Sequence, residues 1–109
     1  MNDKIPTAAI IEHNSSAKYV LGLVRGKEEQ KLVVVSMRYE WHKDIASAYS
    51  RRLGSEQTFR PLGGGYLTIN TEEKKIETHG ESGSYGRPDL TLVQRVLKEN
   101  YPEYTIDLH

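Results

Sequence analysis

The sequence predicts an α/β (α+β) fold: a single domain, residues 1–109, with a mixed sheet of about six strands flanked by two helices. Short apolar or alternating segments bounded by polar and glycine-rich turns are typical of strands, and they recur along the chain. Only two segments space their apolar residues as a helix does. Two helices are too few to connect a large all-parallel sheet, so we expect antiparallel strand pairs and one helix on each face.

The first part of the chain contains three predicted strands. Residues 7–12 are expected either to form an edge strand or to be loosely ordered with the rest of residues 1–17. Residues 18–24 are rich in the β-branched and aromatic side chains that strands favour. Residues 31–38 contain an almost continuous apolar run, which predicts a central strand covered on both faces.

A helix is predicted from residue 42. Its apolar side chains recur at helical spacing through Leu53, and Gly54 is placed to end it. Beyond this helix, residues 58–62 and 66–70 are predicted as two short strands separated by the triple glycine 63–65. A further strand is predicted over residues 75–82.

The last part of the chain predicts a second helix and a final strand. Pro88 is expected to open this helix, because the missing N–H of proline costs least at the first helical position. Residues 104–108 are predicted as the last strand. The buried stripe of the second helix is expected to consist of Leu90, Val93, Val96 and Leu97.

Composition excludes several classes of protein. Lysine and arginine total 15, as do aspartate and glutamate, so the chain lacks the basic excess with which proteins hold nucleic acids or membrane surfaces. The absence of cysteine excludes disulfides, zinc–thiolate sites and a cysteine nucleophile. The apolar run 8–11 is too short for a signal peptide or a membrane span. We therefore expect a cytoplasmic monomer that binds neither nucleic acid nor membranes.

Several common catalytic motifs are also absent. The triple glycine precedes Tyr66 and a strand, whereas a phosphate-binding loop of the Walker type needs Lys-Ser/Thr and a helix. Residues 80–84 do not form the Gly-x-Ser-x-Gly turn of serine hydrolases. The four histidines are not spaced as metal ligands on one helix, so no metal and no other cofactor is expected.

Two segments favour an anion-binding site. His42 lies where a strand gives way to a helix, and a helix start offers unpaired N–H groups and a positive dipole end. A neutral imidazole there is a suitable proton acceptor near pH 7, although the residue could instead serve only packing or capping. The loop 82–86 contains glycines and serines that suit an anion-binding nest of N–H groups, or else an ordinary connection.

These pieces together resemble the Janus/Ocnus family, from residue 18 to the carboxyl terminus. No single motif is decisive, but six occur in the same order with similar gaps. They are Lys-Tyr-Val-Leu at 18–21, Trp-His-Lys-Asp-Ile at 41–45, Leu-Gly-Gly-Gly at 62–65, Lys-Lys-Ile at 74–76, Gly-Glu-Ser-Gly-Ser-Tyr-Gly at 80–86 and Asn-Tyr-Pro-Glu-Tyr at 100–104.

The resemblance implies a metal-free phosphatase that hydrolyses phosphorus–nitrogen bonds in a phosphohistidine-containing protein or a small phosphoramidate. It implies that His42 is the catalytic residue, acting as general base or as nucleophile, and that Lys18 contacts the substrate. The phosphate would be bound mainly by main-chain N–H groups. The donors that the resemblance implies are those of Ser82, Gly83, Ser84 and Lys43.

The sequence departs from the family pattern at two positions. Some members of the family carry an arginine directly after the triple glycine, where this chain has Tyr66, and a second arginine at about Val34. Arg38 or Arg87 is expected to supply a substitute charge, since each is a few residues from a predicted site segment. The alternative is a phosphate- or phosphoprotein-binding module on the same fold that has no catalytic activity.

Overall fold

Alternating and apolar segments of the chain fold into one sheet and two helices. A computed structural model describes residues 5–109. No helix in this described range is long and apolar enough to cross a membrane. In chain order the elements are β1 Thr7–Ile11, β2 Ser16–Arg25, β3 Gln30–Ser36, α1 His42–Ser50, β4 Thr58–Asn70, β5 Lys75–His79, α2 Leu90–Asn100 and β6 Thr105–Leu108.

The six strands form a mixed sheet in the order β1-β3-β2-β4-β5-β6. The pairs β1–β3 and β5–β6 are parallel, and the three inner pairs are antiparallel. β3 lies between two other strands and is buried from Leu32 to Ser36, as its apolar run predicts. The predicted α+β fold, with a mixed six-stranded sheet and two helices, is therefore confirmed.

Alternation along the strands divides the core into two layers. Tyr19 and Leu21 of β2 pack with α2 on one face of the sheet, whereas Val20 and Val24 pack with α1 on the other. Because residues paired across strands share a face, the Lys18–Tyr66 and Tyr66–His79 pairs lie on the α1 face, beside the start of the helix at His42. This part of the face remains partly open to solvent.

The triple glycine does not interrupt a strand, so the prediction of two separate strands there is wrong. β4 runs continuously through Gly63, Gly64 and Gly65, none of which has a positive φ. Glycine is required because other atoms come very close. A Cβ at Gly63 would lie 2.7 Å from Pro88 Cα, and one at Gly64 would lie 2.6 Å from the Tyr19 carbonyl oxygen.

Several predicted boundaries also differ from the structure. α1 ends at Ser50, with turn residues after it, and β5 ends at His79 instead of residue 82. Pro88 lies before the second helix, not at its first position. Asp89 caps that helix by accepting hydrogen bonds from the N–H groups of Thr91 and Leu92 at 3.0 and 3.3 Å.

The buried stripe of α2 is largely as predicted. Val93, Val96 and Leu97 are fully buried against the sheet. Leu90, in contrast, is only half-buried, and Leu92 packs against the cluster in addition. The buried stripe therefore begins at Val93, and the first turn of the helix is less completely covered by the sheet.

Replacing Gly64 with alanine is expected to lower the free energy of unfolding by about 1–3 kcal/mol, because the added Cβ meets backbone that must shift. Gly83→Ala is the matched control, since a Cβ there has no neighbour within 4 Å. We expect it to change stability by less than about 1 kcal/mol. Urea denaturation of both variants measures the difference, and equal stabilities would contradict the steric explanation.

Candidate functional site

His42 is the first residue of α1 and is 5 % exposed. Its ring lies over Gly64 of β4: Cδ2 is 3.0 Å from the position that a Cβ of Gly64 would occupy. Ser82 Cβ lies 3.3 Å from that same position. The side chains of His42 and Ser82 therefore approach one point above the glycine, although residues 42 and 82 are far apart in sequence.

One hydrogen bond determines which ring nitrogen of His42 carries the proton. Nε2 lies 2.9 Å from the carbonyl oxygen of Gly65, which can only accept, so Nε2 donates. Nδ1 therefore keeps its lone pair, and it has no hydrogen-bond partner within residues 5–109. Within the same range, Thr78 Oγ1 is the polar side-chain atom that is both fully buried and without a hydrogen-bond partner. Because Nδ1 of His42 also lacks a partner but does not belong to this class, it is not fully buried.

The environment of His42 also favours its neutral form. Burial lowers the pKa of the imidazole, the hydrogen bond to Gly65 raises it, and the positive charge of Lys18 lowers it again. The net shift is downward from the ordinary value. At neutral pH the ring therefore presents an unprotonated Nδ1.

The loop 82–86 is fastened beside this ring. Ser82 is buried, and its Oγ accepts hydrogen bonds from the N–H groups of Ser84 at 3.1 Å and Tyr85 at 3.0 Å. The carbonyl oxygen of Gly86 accepts from Gly64 N–H at 3.2 Å and from Ser82 N–H at 3.3 Å. These bonds hold the loop against β4, next to His42.

Some main-chain N–H groups in this region donate hydrogen bonds within the protein, and others have no acceptor among the described residues. The N–H groups of Ser82 and Ser84, which we predicted as phosphate donors, form hydrogen bonds within the loop in this structure. Within residues 5–109, the N–H of Gly83 has no acceptor, and neither do those of His42 and Lys43, because Trp41 caps α1 without a side-chain bond. These three groups are free to bind an anion.

An open pocket of about 390 Å³ lies on the same sheet face. Tyr66 is central to it: its ring makes an edge contact with His42 at 5.8 Å between centroids and stacks on His79 at 5.3 Å. Lys18 Nζ lies 5.3 Å from the Tyr66 ring centre. The pocket is lined by Ser16, Ala17, Lys18, Arg38, Tyr39, Tyr66, Thr68 and His79.

Sequence reasoning missed the roles of Tyr66 and His79 in this cluster. Tyr66 stood out only as the replacement of an arginine, and His79 only as one of four histidines without metal-ligand spacing. Their proximity to Lys18 depends on the register of three strands, which the sequence does not reveal. Alternation alone places each residue on a face but not beside a partner.

The two arginines suggested as substitutes occupy different places. Arg38 lines the pocket with Lys18, whereas Arg87 does not. Val34, at the position of a family arginine, is fully buried in the cluster with α2. A side chain there faces away from His42, so a cation at Val34 would not contribute to this site.

One group of metal-binding side-chain types lies elsewhere on the sheet. Single ligand atoms of Glu77, Asp107 and His109 lie within 4.8 Å of one another. His109 pairs with Asp107 at 3.4 Å. Glu77 pairs instead with Lys75, at 3.6 Å. These contacts account for the arrangement as surface ion pairs.

Comparison with known proteins relates the chain to one family. The model of the Janus/Ocnus family (Ocnus) matches residues 2–105. The sex-regulated protein janus-A of Drosophila pseudoobscura pseudoobscura is 36% identical over 115 residues, which cover 95% of this chain and 74% of that protein. Janus-A of Drosophila melanogaster is 31% identical over 100 residues, with coverage of 84% and 70%.

A shorter match extends to a protein with a named activity. The 14 kDa phosphohistidine phosphatase of Sus scrofa is 31% identical over 72 residues, which cover 62% of this chain and 57% of that protein. The family model, by contrast, spans nearly the whole chain. The chain belongs to the Janus/Ocnus family.

Proposed function

We propose that this protein is a phosphatase that hydrolyses phosphorus–nitrogen bonds, with His42 as the general base. The observation that carries the proposal is the unprotonated Nδ1 of a buried imidazole next to free main-chain donors. The phosphohistidine phosphatase of Sus scrofa, a relative by sequence, supports the substrate class. Phosphohistidine in a protein and small phosphoramidates both contain the bond in question.

Main-chain donors and one lysine would bind the phosphoryl group. The free N–H groups of Gly83, His42 and Lys43 suit its oxygens, and Lys18 supplies a positive charge near His42. Donors fixed by the backbone need no reorganisation as charge develops in the transition state. The bonds from Ser84 and Tyr85 to Ser82 Oγ support this arrangement by fixing the loop.

The reaction follows from these positions. His42 Nδ1 takes a proton from water, the water oxygen forms a bond to phosphorus, and the phosphorus–nitrogen bond breaks. The leaving nitrogen keeps the bonding electron pair and receives the proton that His42 Nδ1 took from water, which returns the imidazole to its neutral form. A phosphoramidate bond is weak once its nitrogen carries a proton, so the protein mainly needs to hold the phosphoryl group and to activate the nucleophile.

A binding module without catalytic activity is the second candidate. Tyr66 replaces a family arginine, and the Ser84 N–H is used within its own loop, so fewer groups contact a phosphoryl oxygen than the family pattern implies. Such a module would bind a phosphorylated protein and release it unchanged. Release of inorganic phosphate distinguishes the two candidates.

His42→Ala is expected to lower hydrolysis of a phosphohistidine peptide by about 10²–10⁴-fold, the usual contribution of a general base. His109→Ala is the matched control, because this exposed histidine lies outside the site. Phosphate release is measured with and without a chelator, on phosphohistidine, phospholysine and phosphoserine peptides.

We expect hydrolysis of the nitrogen-linked peptides alone, unaffected by the chelator. Circular dichroism verifies that the His42 variant is folded. Undiminished turnover by folded His42→Ala would contradict the assignment of the base. Substrate binding by the unmodified protein without any phosphate release would favour the binding module.

Stability is expected to fall as the pH drops below about 6.5, the ordinary histidine value. Burial lowers the pKa of His42 and of His13 in the folded chain, so the unfolded chain binds more protons in that range. The free energy of unfolding therefore increases as the pH rises toward the ordinary histidine pKa, and it decreases when the solution is acidified below that pKa. Urea denaturation between pH 7.5 and pH 5, with NMR titration of the His42 ring, measures both effects. A His42 pKa above its ordinary value would contradict the proposed base.

A further inference from the structure

We propose that the pocket beside His42 binds a carboxylate next to the phosphorylated residue, so that the preferred substrate is a polypeptide with an acidic flanking residue. This inference rests on the proposed function, whose site it extends. The three observations that carry it are the charge of the lining, the separation of its two cations and the size of the pocket.

The pocket lining is positively charged. It contains Lys18 and Arg38 but no carboxylate. Neither cation forms an ion pair with any residue in the range 5–109. Two unpaired cations on a concave surface attract an anionic group and disfavour a cationic one.

The two cations act at different places. Lys18 Nζ lies 5.3 Å from the centre of the Tyr66 ring, and that ring contacts His42. Arg38 follows β3, which pairs with β2 on the side away from β4 and Tyr66. Lys18 is therefore placed for the phosphoryl group, and Arg38 for a second anion beside it.

The size and the edge of the pocket favour a polypeptide. Its volume of about 390 Å³ lies within the range of sites for drug-sized ligands, and a small phosphoramidate would leave much of it empty. Tyr39, which lines the pocket, is 45 % exposed, and Trp41, adjacent to His42, is 56 % exposed. Exposed aromatic side chains beside a pocket are typical of surfaces that contact another chain.

The test uses three phosphohistidine peptides that differ only in the residues flanking the phosphohistidine: Asp, Asn or Lys. For the unmodified protein we expect kcat/KM to fall in that order, with about a 2- to 5-fold difference between the Asp and Asn peptides, as for one solvent-exposed ion pair. Arg38→Glu is expected to reverse the order, so that the Lys peptide becomes the best substrate.

Arg25→Glu is the matched control. It makes the same change in net charge at the far end of β2, about 23 Å from Lys18 at about 3.3 Å per residue. We expect this variant to keep the order of the unmodified protein. A reversal by both variants would show an effect of overall charge and would overturn the assignment of Arg38.

Failure of this inference differs from failure of the proposed function. Hydrolysis of all three peptides with equal kcat/KM overturns the inference alone. If no peptide is hydrolysed, the proposed function fails, and the preference is measured as dissociation constants of hydrolysis-resistant phosphonate analogues of the same peptides. Tighter binding of the Asp analogue, lost in Arg38→Glu, supports the inference, and equal binding of the Asp and Lys analogues overturns it.

Discussion

The site depends on one hydrogen bond, from His42 Nε2 to the carbonyl oxygen of Gly65, made across a residue that has no side chain. Gly64 lies under the imidazole, and its missing Cβ gives the space in which the ring can reach β4. A buried imidazole without this partner would cost about 1–3 kcal/mol. The same bond fixes the proton on Nε2, so the strand that supports the ring also determines which nitrogen can act as a base.

The unequal cover of the two sheet faces creates the rest of the site. α2 packs against strands at both edges of the sheet, whereas α1 is shorter and covers only one part of its face. The uncovered part carries Lys18, Tyr66 and His79 in neighbouring strands, beside the start of α1. A helix start, two loop glycines and a row of polar side chains therefore meet at one place, as an anion-binding site requires.

Local patterns predicted most of the fold. Alternation and apolar runs identified the strands, and His42 was expected at the start of a helix. The triple glycine was wrongly predicted to interrupt a strand. Glycine is needed there because the backbone packs closely against Tyr19, Pro88 and His79, and such packing cannot be inferred from local propensity. The contact of Tyr66 with His79 depends on strand register, and the use of the Ser84 N–H depends on the orientation of the Ser82 hydroxyl. Neither can be predicted from spacing.

An amide NMR titration with a hydrolysis-resistant phosphonate analogue of phosphohistidine tests most directly whether the imidazole and the free donors form one anion site. The account predicts that the amide signals of Gly83 and Lys43 shift together with the ring nitrogens of His42, with a single dissociation constant. Shifts confined to another surface, such as the cluster of Glu77, Asp107 and His109, would contradict it, as would shifts of the two amides without any response of His42.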